Sequence, residues 1–159
     1  MEYICYTDGA ASGNGRDDCI AGWAFVILDE TNTKIAEGSG RIENGTNNIG
    51  ELRAIIEAVK ASANLMTGLS DTIVIHSDSA YCINGITNWR YGWKKNDWYR
   101  DKQKKLELKN REMWKELDSL IDSFRMDFQK CAGHSGVEWN EYVDKMAVKM
   151  TRRDSHDGN

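Results

Sequence analysis

Apolar residues recur along this chain with two different periods. Short apolar or alternating runs, separated by turns rich in glycine, serine and asparagine, predict five β-strands. The predicted strands span residues 3–8, 22–28, 34–42, 72–78 and 126–130. After the third strand the spacing changes to three and four residues, which predicts an amphipathic helix from Asn47 to about Ala63. The apolar stripe of this helix comprises Ile49, Leu52, Ile55, Ile56 and Val59.

Three further helical segments are predicted in the second half of the chain. The sequence SAYCING (79–85) opens a short helix, residues 93–123 are predicted to be mostly helical, and a last helix is expected from Trp139 to Thr151. Apolar stripes support the two longer helices: Trp114, Leu117, Leu120, Ile121 and Phe124 in the first, and Val143, Met146, Ala147 and Met150 in the second. The polar segment 152–159 is expected to be a disordered C-terminal tail.

The order of these elements predicts an α/β fold. Short loops join the first three strands, which favours an antiparallel meander, whereas helices separate the later strands, which favours parallel pairing. We therefore expect a five-stranded mixed sheet, with three antiparallel and then two parallel strands, and helices on both faces. Because the chain shows no linker, internal repeat or low-complexity segment, residues 1–151 are expected to form a single domain.

The composition narrows the class of protein further, with 40% hydrophobic and 29% charged residues. The longest apolar stretch, AGWAFVIL (21–28), is far shorter than the ~20 residues of a membrane-spanning helix, and no secretory signal precedes the first strand. The four cysteines are widely spaced, without the pattern of a zinc site or a disulfide framework. We therefore expect a cytoplasmic protein that does not associate with a membrane.

Charge is distributed unevenly along the chain. The formal net charge is −4, but the basic segment, defined as residues 88–111, holds nine basic and three acidic residues. The basic segment therefore carries a net charge of +6 and the rest of the chain −10. Five aromatic residues lie among the bases: Trp89, Tyr91, Trp93, Trp98 and Tyr99. This pattern is typical of a surface that binds a nucleic-acid backbone, although a solvated basic helix with buried tryptophans would share it.

Four carboxylates lie where packing would bring them together. Asp8 and Asp78 each follow an apolar strand, where open α/β sheets bind their ligands, and Glu51 and Asp144 lie at the edges of helical apolar stripes. Each one alone is explained as a cap or a solvated surface carboxylate. Together they would repel one another unless a hard cation neutralised them, and oxygen-only ligation favours Mg²⁺ or Mn²⁺. Two such ions, ~3.5–4 Å apart, are the standard device for in-line phosphoryl transfer.

Five sequence blocks resemble, in order and spacing, those of the type 1 ribonuclease H family. They are YTDGAASGNG, TNNIGELRA, HSDSAYCINGITNW, GWKK and AGHSGVEWNEYVDKMA, and the resemblance extends from about Tyr3 to Met150. It implies a ribonuclease H-like fold with a basic helical protrusion, and an endonuclease that hydrolyses the RNA strand of RNA·DNA hybrids by two-metal-ion catalysis. The products would carry 5′-phosphate and 3′-hydroxyl ends. Two Mg²⁺ ions, with Mn²⁺ as a substitute, would bind together with the substrate.

The same resemblance implies roles for individual residues. The metal-binding carboxylates would be Asp8, Glu51, Asp78 and Asp144, and His134 would assist proton transfer or product release. Residues that match the family's substrate contacts are Asn14, Asn47 and Asn48 in the minor groove, Thr46 and Asn110 at a DNA-strand phosphate, and Trp93, Lys94, Lys95 and Trp98 in the protrusion. Amides can complement the 2′-hydroxyl of RNA, which both donates and accepts, although turn formation or helix capping also explains Asn14 and Asn47. His76 and His156 match no such role, and we expect them to be structural and disordered, respectively.

The chain departs from the family pattern at positions other than the four carboxylates. Asn44 stands where many bacterial members have arginine, Ala80 where glutamine is expected, and Ala132 where lysine is common. We therefore expect the chemistry to be retained and the affinity for the hybrid to be reduced. Two other functions stay open: a hybrid-binding module without catalysis, and an integrase or transposase of the same superfamily. No obligate protein partner is implied, and a monomer is expected.

Overall fold

Five strands form one mixed sheet in a computed structural model that describes residues 1–13, 18–68, 70–131 and 138–152. The strands are β1 (Glu2–Ser12), β2 (Ile20–Leu28), β3 (Lys34–Glu43), β4 (Thr72–Ser77) and β5 (Arg125–Lys130). Their order across the sheet is β3-β2-β1-β4-β5. The pairs β1–β2 and β2–β3 are antiparallel, whereas β1–β4 and β4–β5 are parallel. The predicted mixed sheet is therefore confirmed.

Helices cover both faces of this sheet, as predicted. They are α1 (Asn47–Leu65), α2 (Ala80–Asn84), a π-helical turn (Gly85–Trp89), α3 (Arg90–Lys95), α4 (Arg111–Ser123) and α5 (Glu138–Met150). Helices α1 and α4 pack on one face, and α5 packs on the other. Among the helices of the described residues, none has the length and apolar character needed to cross a lipid bilayer.

Strand alternation divides the core into two layers. Odd-numbered residues of β1 and β2, such as Cys5 and Ile27, pack with the apolar stripe of α1 and with Trp114 of α4. Even-numbered residues of β2, such as Val26, pack with Val143 and Ala147 of α5. The sheet is thus buried from both sides and holds α1 and α5 on opposite faces of β1.

Strand β1 is longer than predicted, because it continues past Asp8 to Ser12. Its parallel pairing with β4 ends at Thr7 and Ser77, but its antiparallel pairing with β2 continues to Ser12 and Ile20. The small residues after Asp8 form only a weak hydrophobic pattern, and pairing with β2 continues through them. Asp8 therefore lies inside a strand, at the point where the neighbour on one side has ended.

The helix predicted over residues 93–123 is interrupted between Lys95 and Arg111. Two side-chain hydrogen bonds compete with the helix, because the Asp101 carboxylate accepts from the N–H groups of Lys105 and Leu106 at 2.9 Å each. Positive φ angles also break it at Asp97, Trp98, Lys104 and Asn110. The basic segment is therefore helical only over residues 88–95 and at Arg111, and residues 96–110 form a turn-rich loop.

The C-terminal end of α5 is fixed to β3. The Arg41 guanidinium donates hydrogen bonds to the backbone carbonyls of Met150 and Arg152. Arg152, the first residue of the predicted tail, is therefore held in place. Residues 153–159, including His156, lie outside the described residues, so the disorder of the tail stays a prediction, as does the single domain over 1–151.

Candidate active site

Three of the four predicted carboxylates lie together at the edge of the sheet. Asp8 belongs to β1, Glu51 to the first turns of α1, and Asp78 directly follows β4. One carboxylate oxygen from each lies within 4.8 Å of the others. Because β4 ends one residue before Asp78, the opening at the carboxyl ends of the parallel strands leaves room for all three side chains.

Two glycines allow the helices to approach the sheet closely enough to form this cluster. A Cβ at Gly9 would overlap the backbone of Glu51, and a Cβ at Gly22 would overlap the carbonyl oxygen of Ala147. The first contact brings α1 against β1, next to Asp8. The second brings α5 against β2, one turn of helix beyond Asp144.

Asp144 approaches Asp8 from α5, on the opposite face of the sheet, and its carboxyl group is one of the causes that raise the pKa of Asp8. A small cavity at this point is lined by Asp8, Asp78, Asn140, Glu141 and Asp144. The sequence reasoning did not find Asn140 and Glu141. The signal was present, because residues three and four positions before Asp144 share its helix face.

The electrostatics of the cluster disfavour several negative charges in the absence of a cation. Burial, together with the Asp78 carboxylate and the hydrogen bond with Asp144, raises the pKa of Asp8 to about 8, against the opposing effect of a hydrogen bond from the Gly9 N–H. Burial and the neighbouring Asp8 and Asp78 raise the pKa of Glu51 well above its usual range. Without a bound cation, the cluster therefore reduces its negative charge by keeping protons on Asp8 and Glu51.

The donor set fits a hard divalent cation. Glu51 Oε1 is buried and lacks a hydrogen-bond partner within the described part of the chain. A buried acceptor without a partner lowers the stability of the fold, so this oxygen calls for an explanation. Glu51 belongs to the same cluster as Asp8 and Asp78, and all three ligands are carboxylates, which Mg²⁺ and Mn²⁺ prefer. An ion held there would be coordinated by the unpartnered oxygen and would offset the repulsion between the carboxylates.

Three of the residues predicted to bind the substrate, Thr46, Asn47 and Asn48, lie at the start of α1. Thr46 is the N-cap of this helix, and its hydroxyl accepts a hydrogen bond from the Ile49 N–H at 3.3 Å. Asn47 and Asn48 are exposed in the first turn, three and four positions before Glu51. Thr46 therefore has a structural role as the cap of α1, while both asparagines lie close in sequence to Glu51 of the acidic cluster.

The predicted protrusion residues divide into buried and exposed side chains. Trp93 and Trp98 are partly buried and pack against the larger core layer, with the ring of Trp93 at 5.2 Å from that of Trp114. Lys94 forms ion pairs with Asp118 at 3.0 Å and Asp122 at 3.1 Å. Lys95 is exposed to solvent. The tryptophans thus support the core, and the two lysines differ in how far their charge is already compensated.

Asn110 adopts a left-handed backbone conformation and does not cap α4 with its side chain. Its amide nitrogen instead donates to the hydroxyl of Tyr81 at 3.1 Å. The indole N–H of the fully buried Trp114 donates to the same hydroxyl at 2.9 Å. Tyr81, which the sequence reasoning did not single out, therefore connects α2 to the start of α4.

Two predicted site residues, Asn14 and His134, lie outside the described residues, so their roles stay predictions. Ala132, one of the departures from the family pattern, also lies outside them. His76 is stacked on Tyr6 with ring centroids 4.5 Å apart, and burial lowers its pKa. A neutral stacked ring on the sheet agrees with the structural role expected for His76.

Comparison with known proteins places the chain among ribonucleases H. It is 40% identical over 148 residues to the ribonuclease H of Wolbachia pipientis wMel, covering 93% of this chain and 94% of that protein. It is 38% identical over 145 residues to the ribonuclease H of Clostridium botulinum strain Hall, covering 91% of each.

Solved structures show the same fold at lower identity. LC9-RNase H1, a type 1 RNase H with the type 2 active-site motif, matches with a TM-score of 0.80 at 24% identity, covering 94% of this chain and 72% of that one. The foamy viral protease-reverse transcriptase in complex with an RNA/DNA hybrid matches with a TM-score of 0.75 at 22% identity, covering 94% and 20% of the two chains. The family model for RNase H matches residues 1–152. The chain therefore belongs to the type 1 ribonuclease H family of enzymes.

Proposed function

We propose that this chain hydrolyses the RNA strand of RNA·DNA hybrids, using two divalent cations held by Asp8, Glu51, Asp78 and Asp144. The observation that carries the proposal is the gathering of Asp8, Glu51 and Asp78 within 4.8 Å, with a buried Glu51 oxygen that has no hydrogen-bond partner among the described residues. Asp144, which lines a small cavity together with Asp8 and Asp78, would add the fourth carboxylate. Family membership supports the substrate, and the carboxylate cluster supports the need for a metal.

The reaction we propose adds water to the phosphorus in line with the 3′-oxygen of the preceding ribose. The P–O3′ bond breaks, so that the products carry a 5′-phosphate and a 3′-hydroxyl. Bound divalent cations would lower the pKa of water and stabilise the charge that develops on the phosphate oxygens. The carboxylates would hold these ions. Asp8 lies within 4.8 Å of Glu51 and Asp78 and lines a small cavity with Asp144, so it would be a ligand in this site.

Cation binding at this site is coupled to the loss of protons from two carboxyl groups. Because the pKa values of Asp8 and Glu51 are raised in the absence of metal, both must release protons when a cation binds. His134 is proposed to assist proton transfer or product release, as the family resemblance implies. We propose Mg²⁺ as the physiological ion, with Mn²⁺ able to replace it.

Substrate selection is proposed to depend on the start of α1 and on the basic segment. Asn14, Asn47 and Asn48 would sense the 2′-hydroxyl of the RNA strand through donor and acceptor groups. Lys94 and Lys95, together with Trp93, Trp98, Thr46 and Asn110, would position the DNA strand through its phosphates and sugars.

The test is incubation of an end-labelled RNA·DNA hybrid, an RNA duplex and a DNA duplex with Mg²⁺, Mn²⁺ or EDTA. We expect cleavage of the RNA strand of the hybrid alone, only with a divalent ion, and with phosphatase-sensitive 5′ ends. Equal cleavage of all three duplexes would contradict the proposed selectivity. Binding without cleavage at any metal concentration would instead favour a hybrid-binding module.

A matched pair of variants assigns the carboxylates. Asp8→Asn is expected to lower the cleavage rate by several orders of magnitude while the variant stays folded and binds the hybrid. Asp127→Asn, which changes an exposed aspartate on β5, should retain full activity. Full activity of Asp8→Asn would remove Asp8 from the metal site.

We propose further that the chain acts as a cytoplasmic monomer without an obligate protein partner. Analytical ultracentrifugation with and without hybrid would test the monomer. Localisation of the tagged full-length protein would test the compartment.

A further inference from the structure

The hydroxyl group of Tyr81 accepts two hydrogen bonds inside the protein. Asn110 Nδ2 donates to it at 3.1 Å, and Trp114 Nε1 donates to it at 2.9 Å. Both lone pairs of the phenol oxygen are then used, so its own proton can only be donated. Within the described residues, Tyr81 makes no hydrogen bond in which it is the donor.

Ring contacts hold the Tyr81 side chain in place, and the two accepted hydrogen bonds constrain the direction of its hydroxyl proton. The Tyr81 ring lies edge-on to Trp114 and to Trp89, with centroids 5.6 Å and 6.3 Å away. Trp114 is fully buried, so its indole N–H has a fixed direction. The Asn110 amide reaches Tyr81 from a left-handed residue at the start of α4. The hydroxyl is therefore held as a directed donor before any ligand binds.

The chemistry around this donor favours an acceptor with negative charge. Its two contacts are neutral donors, and Asn110 lies in the basic segment, next to the exposed Lys109. Tyr81 itself is on α2, three residues after Asp78, at the same edge of the sheet as the acidic cluster. A non-bridging phosphate oxygen accepts hydrogen bonds and donates none, which is the complement of this hydroxyl.

We infer that the Tyr81 hydroxyl donates a hydrogen bond to one backbone phosphate of the bound hybrid and so helps to fix its register on the enzyme. This inference rests on the proposed function. In this inference Tyr81 binds the substrate and takes no part in the chemical step. The phosphate belongs to either the DNA or the RNA strand, and the experiment below distinguishes the two.

The first measurement uses Tyr81→Phe, which removes the hydroxyl and keeps the ring. We expect KM for the hybrid to rise about ten-fold or more, as for loss of a hydrogen bond to a charged group, with kcat within about two-fold. Because the hydroxyl is neutral, the salt dependence of binding should keep its slope. Tyr3→Phe is the matched control, since it loses a phenol hydrogen bond to Leu65 at the far end of β1 and should leave KM unchanged.

The second measurement identifies the phosphate. Neutral methylphosphonates are placed singly along the DNA strand and then along the RNA strand, and hybrid binding is measured by fluorescence anisotropy in EDTA. We expect one position, in one strand, where the substitution weakens binding to the wild type but not to Tyr81→Phe. If Tyr81→Phe acted only by removing the acceptor for the Trp114 N–H, it would lower the affinity for every modified hybrid by the same factor, wherever the methylphosphonate lies.

A double-mutant cycle with Asn110→Ala separates two roles of the Tyr81 hydroxyl, which are direct contact with the phosphate and orientation of the Asn110 side chain. If Tyr81 donates to phosphate, Tyr81→Phe still raises KM when Asn110 is alanine. An effect of Tyr81→Phe that vanishes in the Asn110→Ala background would overturn the inference, as would the absence of any position-specific methylphosphonate effect. Because the anisotropy assay needs no cleavage, failure of the proposed catalytic function would be seen separately, as a wild type that binds hybrid and does not cut it.

Discussion

At the scale of single residues, the ionised acidic cluster opposes folding at neutral and alkaline pH when no cation is bound. Burial and neighbouring carboxylates raise the pKa values of Asp8 and Glu51, so the folded chain binds protons that the unfolded chain has already lost. The protonated cluster therefore stabilises the fold in acid. That contribution is lost as the pH rises from the ordinary carboxyl range through the folded-state pKa of Asp8, about 8.

We predict that, in EDTA, the free energy of unfolding of the wild type falls between about pH 5 and pH 8. The expected slope is up to about 1.4 kcal/mol per pH unit for each of the two groups. Carboxylates whose pKa is lowered, such as Asp71, act only in more acidic solution. The lowered pKa of His76 adds an opposing rise of stability with pH in this window, but one imidazole opposes two carboxyl groups, so a net fall is expected. Urea unfolding at a series of pH values measures the slope.

Asp8→Asn should flatten this pH dependence, and Asp127→Asn should not. At pH 8, Mg²⁺ is expected to stabilise the wild type more than Asp8→Asn, since the ion replaces the lost protons. A wild-type stability that rises from pH 5 to pH 8 in EDTA would contradict the electrostatic description of the site.

Sequence alone could predict the cluster of Asp8, Glu51 and Asp78, because strand alternation and helical spacing decide which side of an element each faces. It could not predict the Tyr81 hydroxyl as a meeting point for Asn110 and Trp114. That contact depends on the distance between α2 and α4, which no local period specifies.

At the scale of elements, the partner strand or loop decides where an element ends. The apolar pattern of β1 stops at Asp8, yet pairing with β2 extends the strand to Ser12. The loop between α3 and α4 shows the opposite case, because a helical pattern is broken by the hydrogen bonds of Asp101. Tertiary pairing and side-chain capping of this kind leave little trace in hydrophobic periodicity, which is why both boundaries were predicted wrongly.

The close contact between β1 and α1 leads to a second prediction. Gly9→Ala should push α1 away from β1, because the new Cβ would overlap the backbone of Glu51. We expect a loss of about 1–3 kcal/mol in the free energy of unfolding, the usual cost of overpacking. We also expect Mg²⁺ affinity to weaken, since Glu51 moves away from Asp8 and Asp78. Urea unfolding and calorimetric titration with Mg²⁺ measure the two effects.

Gly92→Ala is the control for this variant. Gly92 lies inside α3, and a Cβ there meets nothing within 4 Å. Alanine should therefore be neutral or stabilise the helix by up to about 1 kcal/mol, without effect on Mg²⁺ binding. Unchanged stability and metal affinity in Gly9→Ala would show that the helix tolerates the added methyl group, and the proposed role of Gly9 would be wrong.

At the scale of the whole molecule, the charge is divided between an acidic body and the basic segment. The body carries −10 and the basic segment +6, so the net charge of −4 describes neither. The acidic body favours cations at the carboxylate cluster, and the basic segment favours phosphates. The division of charge was predictable from the sequence. The contribution of each lysine to phosphate binding was not, because ion pairs within the fold already neutralise some of the lysines.

Lys94 and Lys95 provide a test of this division. The Lys94 ammonium already contacts Asp118 and Asp122, whereas Lys95 is exposed. A lysine that neutralises one backbone phosphate releases about 0.7–0.9 of a counterion, which sets the slope of log Kd against log salt concentration. We predict that Lys95→Ala lowers this slope by about that amount and that Lys94→Ala lowers it less. Anisotropy titrations with hybrid in EDTA at several salt concentrations measure both, with Lys60→Ala, which changes a lysine paired with Glu116, as the control. A larger change for Lys94→Ala than for Lys95→Ala would mean that hybrid displaces the aspartates from Lys94, and the ion pairs would then be part of the binding event.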